Sequence, residues 1–239
     1  MRRFFCENIT GETAAITGDD AHHISRVLRM KAGDALSICD GAGSEYDAVI
    51  SSVLQDSIVC ALGEKRLSGA ESPVRITLFQ CLPKTGKMEL IVQKCTELGV
   101  FSIVPVLSAR CVVVPNKDFD KKRERYNRVA LEAAKQSRRA MIPQVLPLAE
   151  LKKIDVKSFD LFLVAYEDET TATLKQALRA AGSLQTIALL IGPEGGLEEG
   201  EVRQLAKEGA KSVSLGPRIL RTETAGMAML AQTLYEVEA

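Results

Sequence analysis

The stretch from Thr186 to Gly196, TIALLIGPEGG, constrains this chain more than any other, because a short apolar run breaks there directly into a glycine-rich loop. Six residues, Thr186 to Ile191, are too few for a stable helix and suit a strand buried on both faces. Three glycines around Pro193 let the backbone turn sharply and approach a bound molecule closely. Glu198, Glu199 and Glu201 follow, where a helix N-terminus favours carboxylates. A second strand, expected over Ser212 to Leu215, ends in Gly216-Pro217, and Thr222 stands ready to cap a C-terminal helix. Two strand ends thus carry two irregular loops.

Charge limits what the first loop can hold. Phosphate-binding glycine loops present amides and a cation to an anionic ligand. Here Glu194, Glu198, Glu199 and Glu201 surround the turn, which favours a neutral or cationic ligand. The spacing matches neither the dinucleotide nor the ATP fingerprint.

From Val74 onward, strand and helix patterns alternate. Arg75–Leu82 and Phe101–Leu107 read as strands, followed by Leu161–Ala165 and the two strands before the glycine loops. Between the first two, Met88, Ile91, Val92, Cys95 and Leu98 recur at helical spacing until Gly99. Such alternation predicts a parallel sheet covered on both faces. The N-terminal part differs. Ala35–Cys39, Tyr46–Val53 and Ser57–Leu62 are short β-type runs at hairpin spacing, best hidden in a small barrel. One helix interrupts them, with Asp19 or Asp20 as its cap and Ile24, Val27 and Leu28 as its apolar stripe. The linker SGAESP, Ser68–Pro73, separates a first domain at 1–69 from a second at 73–239.

The 31 basic and 31 acidic residues cancel, so any attraction to nucleic acid must be local. The sequence from Lys117 to Arg139 carries nine basic residues against four acidic, a strip suited to phosphates or to solvent. The six cysteines form no C-x-x-C pair and read as reduced core thiols. No metal site is expected. Without an apolar run of roughly 20 residues or a secretory leader, the expected location is the cytoplasm.

LLIGPEGGL and SLGPRILRTETA resemble the signature of SPOUT-class RNA methyltransferases, and most closely the ribosomal RNA small-subunit methyltransferase E family. The likeness continues through RRFF, HHISRVLRMKAGD, KMELIVQKCTELGV, Pro105, Arg110, EAAKQS, Arg139 and Pro143. Two positions depart from that pattern: Arg138 where glycine is common and Cys111 where serine is common. Both are expected to lie outside the cofactor loops.

The resemblance implies an N-terminal PUA-like RNA-binding barrel and a C-terminal SPOUT α/β domain with a trefoil knot. It also implies S-adenosylmethionine as cofactor and a homodimer. The reaction it implies is methylation of a small-subunit (16S) ribosomal RNA uridine at ring nitrogen 3, on free RNA or on the assembled subunit. The cofactor residues it points to are Ala165, Gly192, Pro193, Glu194, Gly195, Gly196, Leu215, Gly216, Ile219, Leu220, Arg221 and Thr224. RNA contacts are expected at Arg3, Arg26, Arg29, Lys31, Arg110, Gln136 and Arg139. Ala225, Gly226, Ala228, Met229 and Ala231 give the last helix a small-residue surface for a dimer. Uracil N3 carries a proton at neutral pH, so the enzyme must favour the anion. Both histidines, His22 and His23, belong to the first domain. That leaves Arg221 to stabilise the oxyanion and Glu223 to take the proton, orient Arg221, or simply pair with the helix dipole. Other readings are methylation of a different RNA nucleotide, another glycine-loop α/β enzyme, and a ribosome-binding module without chemistry.

Overall fold

The computed structural model describes residues 1–84, 86–113 and 119–238. The chain divides into two units, 1–71 with 134–142, and 72–133 with 143–239.

The first unit is a six-stranded sheet of β1 (Arg3–Phe5), β2 (Ile9–Thr10), β3 (Thr13–Thr17), β4 (Ala35–Cys39), β5 (Ser44–Val53) and β6 (Ser57–Leu67), in the order β1-β4-β5-β6-β3-β2. Phe4 from one edge and Ile16 from beside the other share one core with Leu36, Ile38, Ile50 and Ile58, so the sheet curls around its apolar face. Ala21 and Ile24, from α1 (Gly18–His22) and the π-helical turn that continues it (His23–Val27), enter that core. The π turn corrects the expected stripe. Leu28 N bonds His23 O across the wider turn, and Val27 is rotated out to 63% exposure. Thr17, rather than an aspartate, holds the N-cap position, with Asp19 and Asp20 in the first turn.

The second unit carries β7 (Arg75–Cys81), β8 (Ser102–Leu107), β9 (Gln144–Val145), β10 (Ala149–Glu150), β11 (Leu161–Ala165), β12 (Thr186–Ile191) and β13 (Lys211–Val213). They form one sheet in the order β10-β8-β7-β12-β11-β13, with β9 also on β8, and every pairing is parallel. Burial on both faces explains the unbroken apolar runs. Ile76, Leu78, Leu163, Ile187 and Leu189 meet α2 (Lys87–Leu98), α4 (Leu174–Arg179) and α6 (Thr222–Val237) on one side. Phe79, Phe162, Val164 and Leu190 meet α5 (Glu199–Glu208) on the other. α3 (Phe119–Gln136) is the basic helix; expected from about Asp118 to Arg139, it ends at Gln136, and Asp118 lies outside the described residues.

α6 differs from expectation twice. Its N-cap position is Arg221, and Thr222 is its first helical residue. Its small face is spent internally: Ala225, Gly226 and Met229 are buried, and a Cβ on Gly226 would stand 3.2 Å from Gln80 Oε1 and 3.6 Å from Leu78. These three residues fit the helix to its own sheet. No described helix is long and apolar enough to cross a membrane.

Candidate functional site

Because the sheet is parallel, the carboxyl ends of β7, β11, β12 and β13 lie along one edge, where open α/β sheets bind ligands. Register gives the layout of that edge. Ala165 pairs with Ile191 on one side and Val213 on the other, so it stands between the two loops predicted from sequence.

The first loop is a tight turn, with Gly196 N donating to Pro193 O at 3.0 Å. Gly196 has φ +69°, and a Cβ there would overlap the Glu167 carboxylate, so only glycine fits without strain. A Cβ on Gly192 would press on Leu197 at 3.2 Å. Gly195 O accepts from Arg110 Nη1 at 3.0 Å.

Thr222 joins this loop to α6. Its hydroxyl donates to Gly192 O at 2.7 Å and accepts from Gln80 Nε2 at 2.9 Å. Gln80 is completely buried at the end of β7, and its other donor bond reaches Cys81 O at 3.1 Å. A second brace is ionic. Lys87 Nζ lies 3.0 Å from both Glu194 Oε1 and Glu223 Oε2, and Lys84 N donates to Glu194 at 3.1 Å. Glu194 and Glu223 together raise the Lys87 pKa. Burial pushes the Glu194 carboxyl up, but Lys87 and the backbone amides hold it below the usual range. Backbone bonding and then Lys87 do the same for Glu223, which makes it a weak base.

The remaining loop carboxylates are also engaged. Glu201 accepts from Glu198 N at 2.9 Å and from Ala109 N at 2.8 Å, closing a capping box on α5. Arg203 pairs with Glu199. The acidic surround is therefore less bare than its composition suggests.

In the second loop Gly216 has φ +114° and bonds Ser214 Oγ at 3.3 Å. Leu215 and Leu220 are half-buried, whereas Ile219 is 89% exposed. Arg221 and Thr224 are exposed at the start of α6, beside Glu223. The edge thus brings together every residue expected to bind cofactor, together with Arg221, Glu223 and Arg110.

The residues expected to touch RNA divide. Arg3 and Gln136 line a cavity of about 560 Å³ in the first unit, with Arg2, Arg66, Lys135 and Arg138. Arg3 spans it, bonding the Arg138 carbonyl and pairing with Glu45 at 2.8 Å. Arg138 holds φ +61°, which explains why glycine suits this position. Arg26, Arg29 and Lys31 are exposed elsewhere on that unit. Arg139 is a correction. It is 3% exposed, and its guanidinium meets Glu71 at 2.7 Å while Glu71 also accepts Ala140 N and Met141 N, so it braces residues 139–141.

Sequence reasoning gave Lys87 and Gln80 no role. Both carried a signal: a lysine at the first position of a helix opposes the dipole unless it has an acidic partner, and a glutamine inside an apolar strand needs one as well.

Comparison with known proteins agrees with this architecture. Residues 70–234 match the model of the RNA methyltransferase domain, and residues 16–61 that of the RNA methyltransferase PUA domain. The chain is 36% identical over 250 aligned residues to the ribosomal RNA small subunit methyltransferase E of Bacillus subtilis, covering 100% of this chain and 98% of that one. It is 32% identical to the Synechocystis sp. protein of the same name, covering 95% and 74%. The crystal structure of a ribosomal RNA small subunit methyltransferase E from Neisseria gonorrhoeae bound to S-adenosyl methionine superposes with TM-score 0.83 at 29% identity, covering 98% and 97%. The parallel sheet with its two loops, the two family models and a 36% identical relative matched over nearly its whole length place the chain in the ribosomal RNA small subunit methyltransferase E family of RNA methyltransferases.

Proposed function

We propose that this protein methylates N3 of a uridine in small-subunit (16S) ribosomal RNA, taking the methyl group from S-adenosylmethionine held between the Gly192–Gly196 and Leu215–Leu220 loops. The observation that carries the reading is the Thr222 hydroxyl bonded to Gly192 O, which ties the first loop to the helix that begins at the end of the second. Bound there, the cofactor supplies an electrophilic methyl group on a cationic sulfur. The residues present suit such a ligand. Two carboxylates, Glu194 and Glu223, share the Lys87 ammonium, so the first loop offers no spare cation of the kind an anionic ligand would need. Ile219 offers an uncommitted apolar surface for a flat base, and the glycines leave the backbone open.

The remaining chemistry falls to this chain's side chains. Arg221 stabilises charge on a uracil carbonyl oxygen as the N3 proton passes to solvent water. Glu223, held ionised by its backbone and Lys87, orients Arg221 better than it accepts a proton. The cavity lined by Arg2, Arg3, Arg66 and Arg138 takes an RNA phosphate, with the exposed Arg26, Arg29 and Lys31 extending the grip. The resemblance adds three features to the proposal: a trefoil knot, a cytoplasmic site of action and a homodimer. Since the inner face of α6 is occupied, the dimer would use its outer positions, Ala228, Ala231 and the exposed Tyr235. Mass mapping of ribosomal RNA from cells lacking the protein tests the reaction. One uridine of the small-subunit RNA should lose its N3 methyl, and an unchanged modification pattern would refute the assignment.

A further inference from the structure

Five of the six cysteines are buried and Cys111 is half-exposed. β7 and β8 place Cys81 opposite Val106, and Leu82 N bonds Val106 O at 2.9 Å. Past β8 the chain turns, with Cys111 N donating to Ser108 O at 3.2 Å, and this returns Cys111 Sγ to 3.8 Å from the same Val106 carbonyl. The two thiols therefore flank one residue. They pack in one cluster, Cys81 fully buried within it and Cys111 against its edge. Ser108 brings its amide at 3.4 Å and its hydroxyl at 3.3 Å to the Cys111 sulfur. These donors around one sulfur favour its thiolate. The neighbouring Cys81 thiol, with Ser108, brings Cys111 down to about 6, while Cys111 and burial hold Cys81 well above the usual thiol range. An accessible thiolate beside a buried thiol is the arrangement of a redox-sensing pair.

The turn that carries Cys111 also holds the first glycine loop. Ala109 N donates to Glu201 Oε1 at 2.8 Å, and Arg110 Nη1 to Gly195 O at 3.0 Å. Cys111, expected to lie apart from the cofactor loops, is thus one residue from a direct contact to one of them.

We propose that Cys81 and Cys111 are a modification site: a hydroperoxide converts them to a disulfide, and closure of that bond pulls the Ser108–Cys111 turn off the Gly192–Gly196 loop and weakens cofactor binding. The site rests on the reading that this loop holds the cofactor. In the first step the Cys111 thiolate attacks the terminal peroxide oxygen, the O–O bond breaks, and a sulfenic acid forms; the other oxygen leaves, takes a proton from solvent and, when the oxidant is hydrogen peroxide, is released as water. In the second step Cys81 attacks that sulfur. The S–S bond forms, the S–O bond breaks, and the Cys81 proton leaves with the hydroxyl as a second water. The peroxide is reduced and the two thiols are oxidised. Bringing the sulfurs to the roughly 2.05 Å of a disulfide draws the turn toward β7. Disulfides of intracellular proteins are mostly transient ones of this kind.

The test treats the full-length protein with hydrogen peroxide, then maps cysteines by peptide mass spectrometry and measures S-adenosylmethionine affinity by calorimetry. The expected result is a Cys81–Cys111 disulfide, a loss of affinity of about tenfold, on the scale of one charge-assisted hydrogen bond, and full recovery with dithiothreitol. Cys111→Ser should fold, bind cofactor and resist peroxide. Oxidation of another cysteine pair first, or of Cys111 without a disulfide, would overturn the site. A mapped disulfide with unchanged affinity would overturn its coupling to the loop. In the reduced protein Gly195→Val should abolish cofactor binding; unchanged affinity there would locate the failure in the loop reading rather than in the thiol chemistry.

Discussion

The Thr222 hydroxyl donates to the Gly192 carbonyl at 2.7 Å across 30 residues of sequence, and the same oxygen accepts from the buried Gln80 amide. One side chain thereby sets the distance between the first glycine loop and the start of α6. Replacing it with valine keeps the shape but leaves the Gln80 donor and the Gly192 carbonyl without this partner. Thr222→Val should cost about 1–3 kcal/mol of stability, the penalty for stranding a buried polar group. Urea titration should show a lower midpoint for valine and a near-parental one for Thr222→Ser. A parental midpoint for the valine variant would mean the bond contributes nothing.

Arg138 occupies left-handed backbone at φ +61°, with its carbonyl bonded by Arg3. Glycine removes the strain there but also removes a cation from the cavity rim. Arg138→Gly should fold at least as well as the parent, bind ribosomal RNA more weakly, and show a salt dependence shallower by about one phosphate contact. An unchanged salt slope, measured by filter binding across ionic strengths, would remove Arg138 from the RNA surface.

Much of the second unit is legible in sequence because a parallel strand must be apolar on both faces. Leu161–Ala165 and Thr186–Ile191 were expected with the bounds they have. The errors arise where a tertiary partner decides. Helical spacing placed Val27 inside, but a π turn rotates it out. Thr222 has the chemistry of a cap, yet the Gly192 carbonyl takes its hydroxyl. Small residues on α6 signal close approach without saying to what; for Gly226 the neighbours are Gln80 and Leu78 of its own sheet. Arg139 looked like one more basic residue until Glu71 appeared beside it.

Glu169 gathers Ala172 N, Ser212 Oγ and both donors of Thr171, which hold its carboxyl down at about 2 against an ordinary 4.5. A depressed carboxylate stabilises the fold above its unfolded pKa and loses that contribution as pH falls through its folded one. Glu169→Gln should therefore lower the melting temperature by a constant amount above about pH 5, with the gap closing toward pH 2. A gap that stays constant to pH 2 would show that the charge is not what these donors recognise.

Arg221 is exposed at the N-cap position of α6, beside the Lys87–Glu223 pair. If it acts on charge developing at the uracil oxygen, Arg221→Ala should slow single-turnover methylation by roughly 10²–10³-fold, as loss of one such donor does. Cofactor affinity should stay near parental, because the loop is expected to meet the cofactor through its backbone, which the substitution keeps. A rate within a few-fold of the parent, at saturating cofactor and RNA, would take Arg221 out of the mechanism.

The measurement closest to the central claim is transfer of an isotopically labelled methyl group from S-adenosylmethionine to isolated small ribosomal subunits by the purified protein. The RNA would then be digested to nucleosides and analysed by chromatography with mass spectrometry. The account predicts label in N3-methyluridine, from one site, and none when cofactor is omitted. Label in any other nucleoside, or no incorporation by protein that binds cofactor, would contradict it.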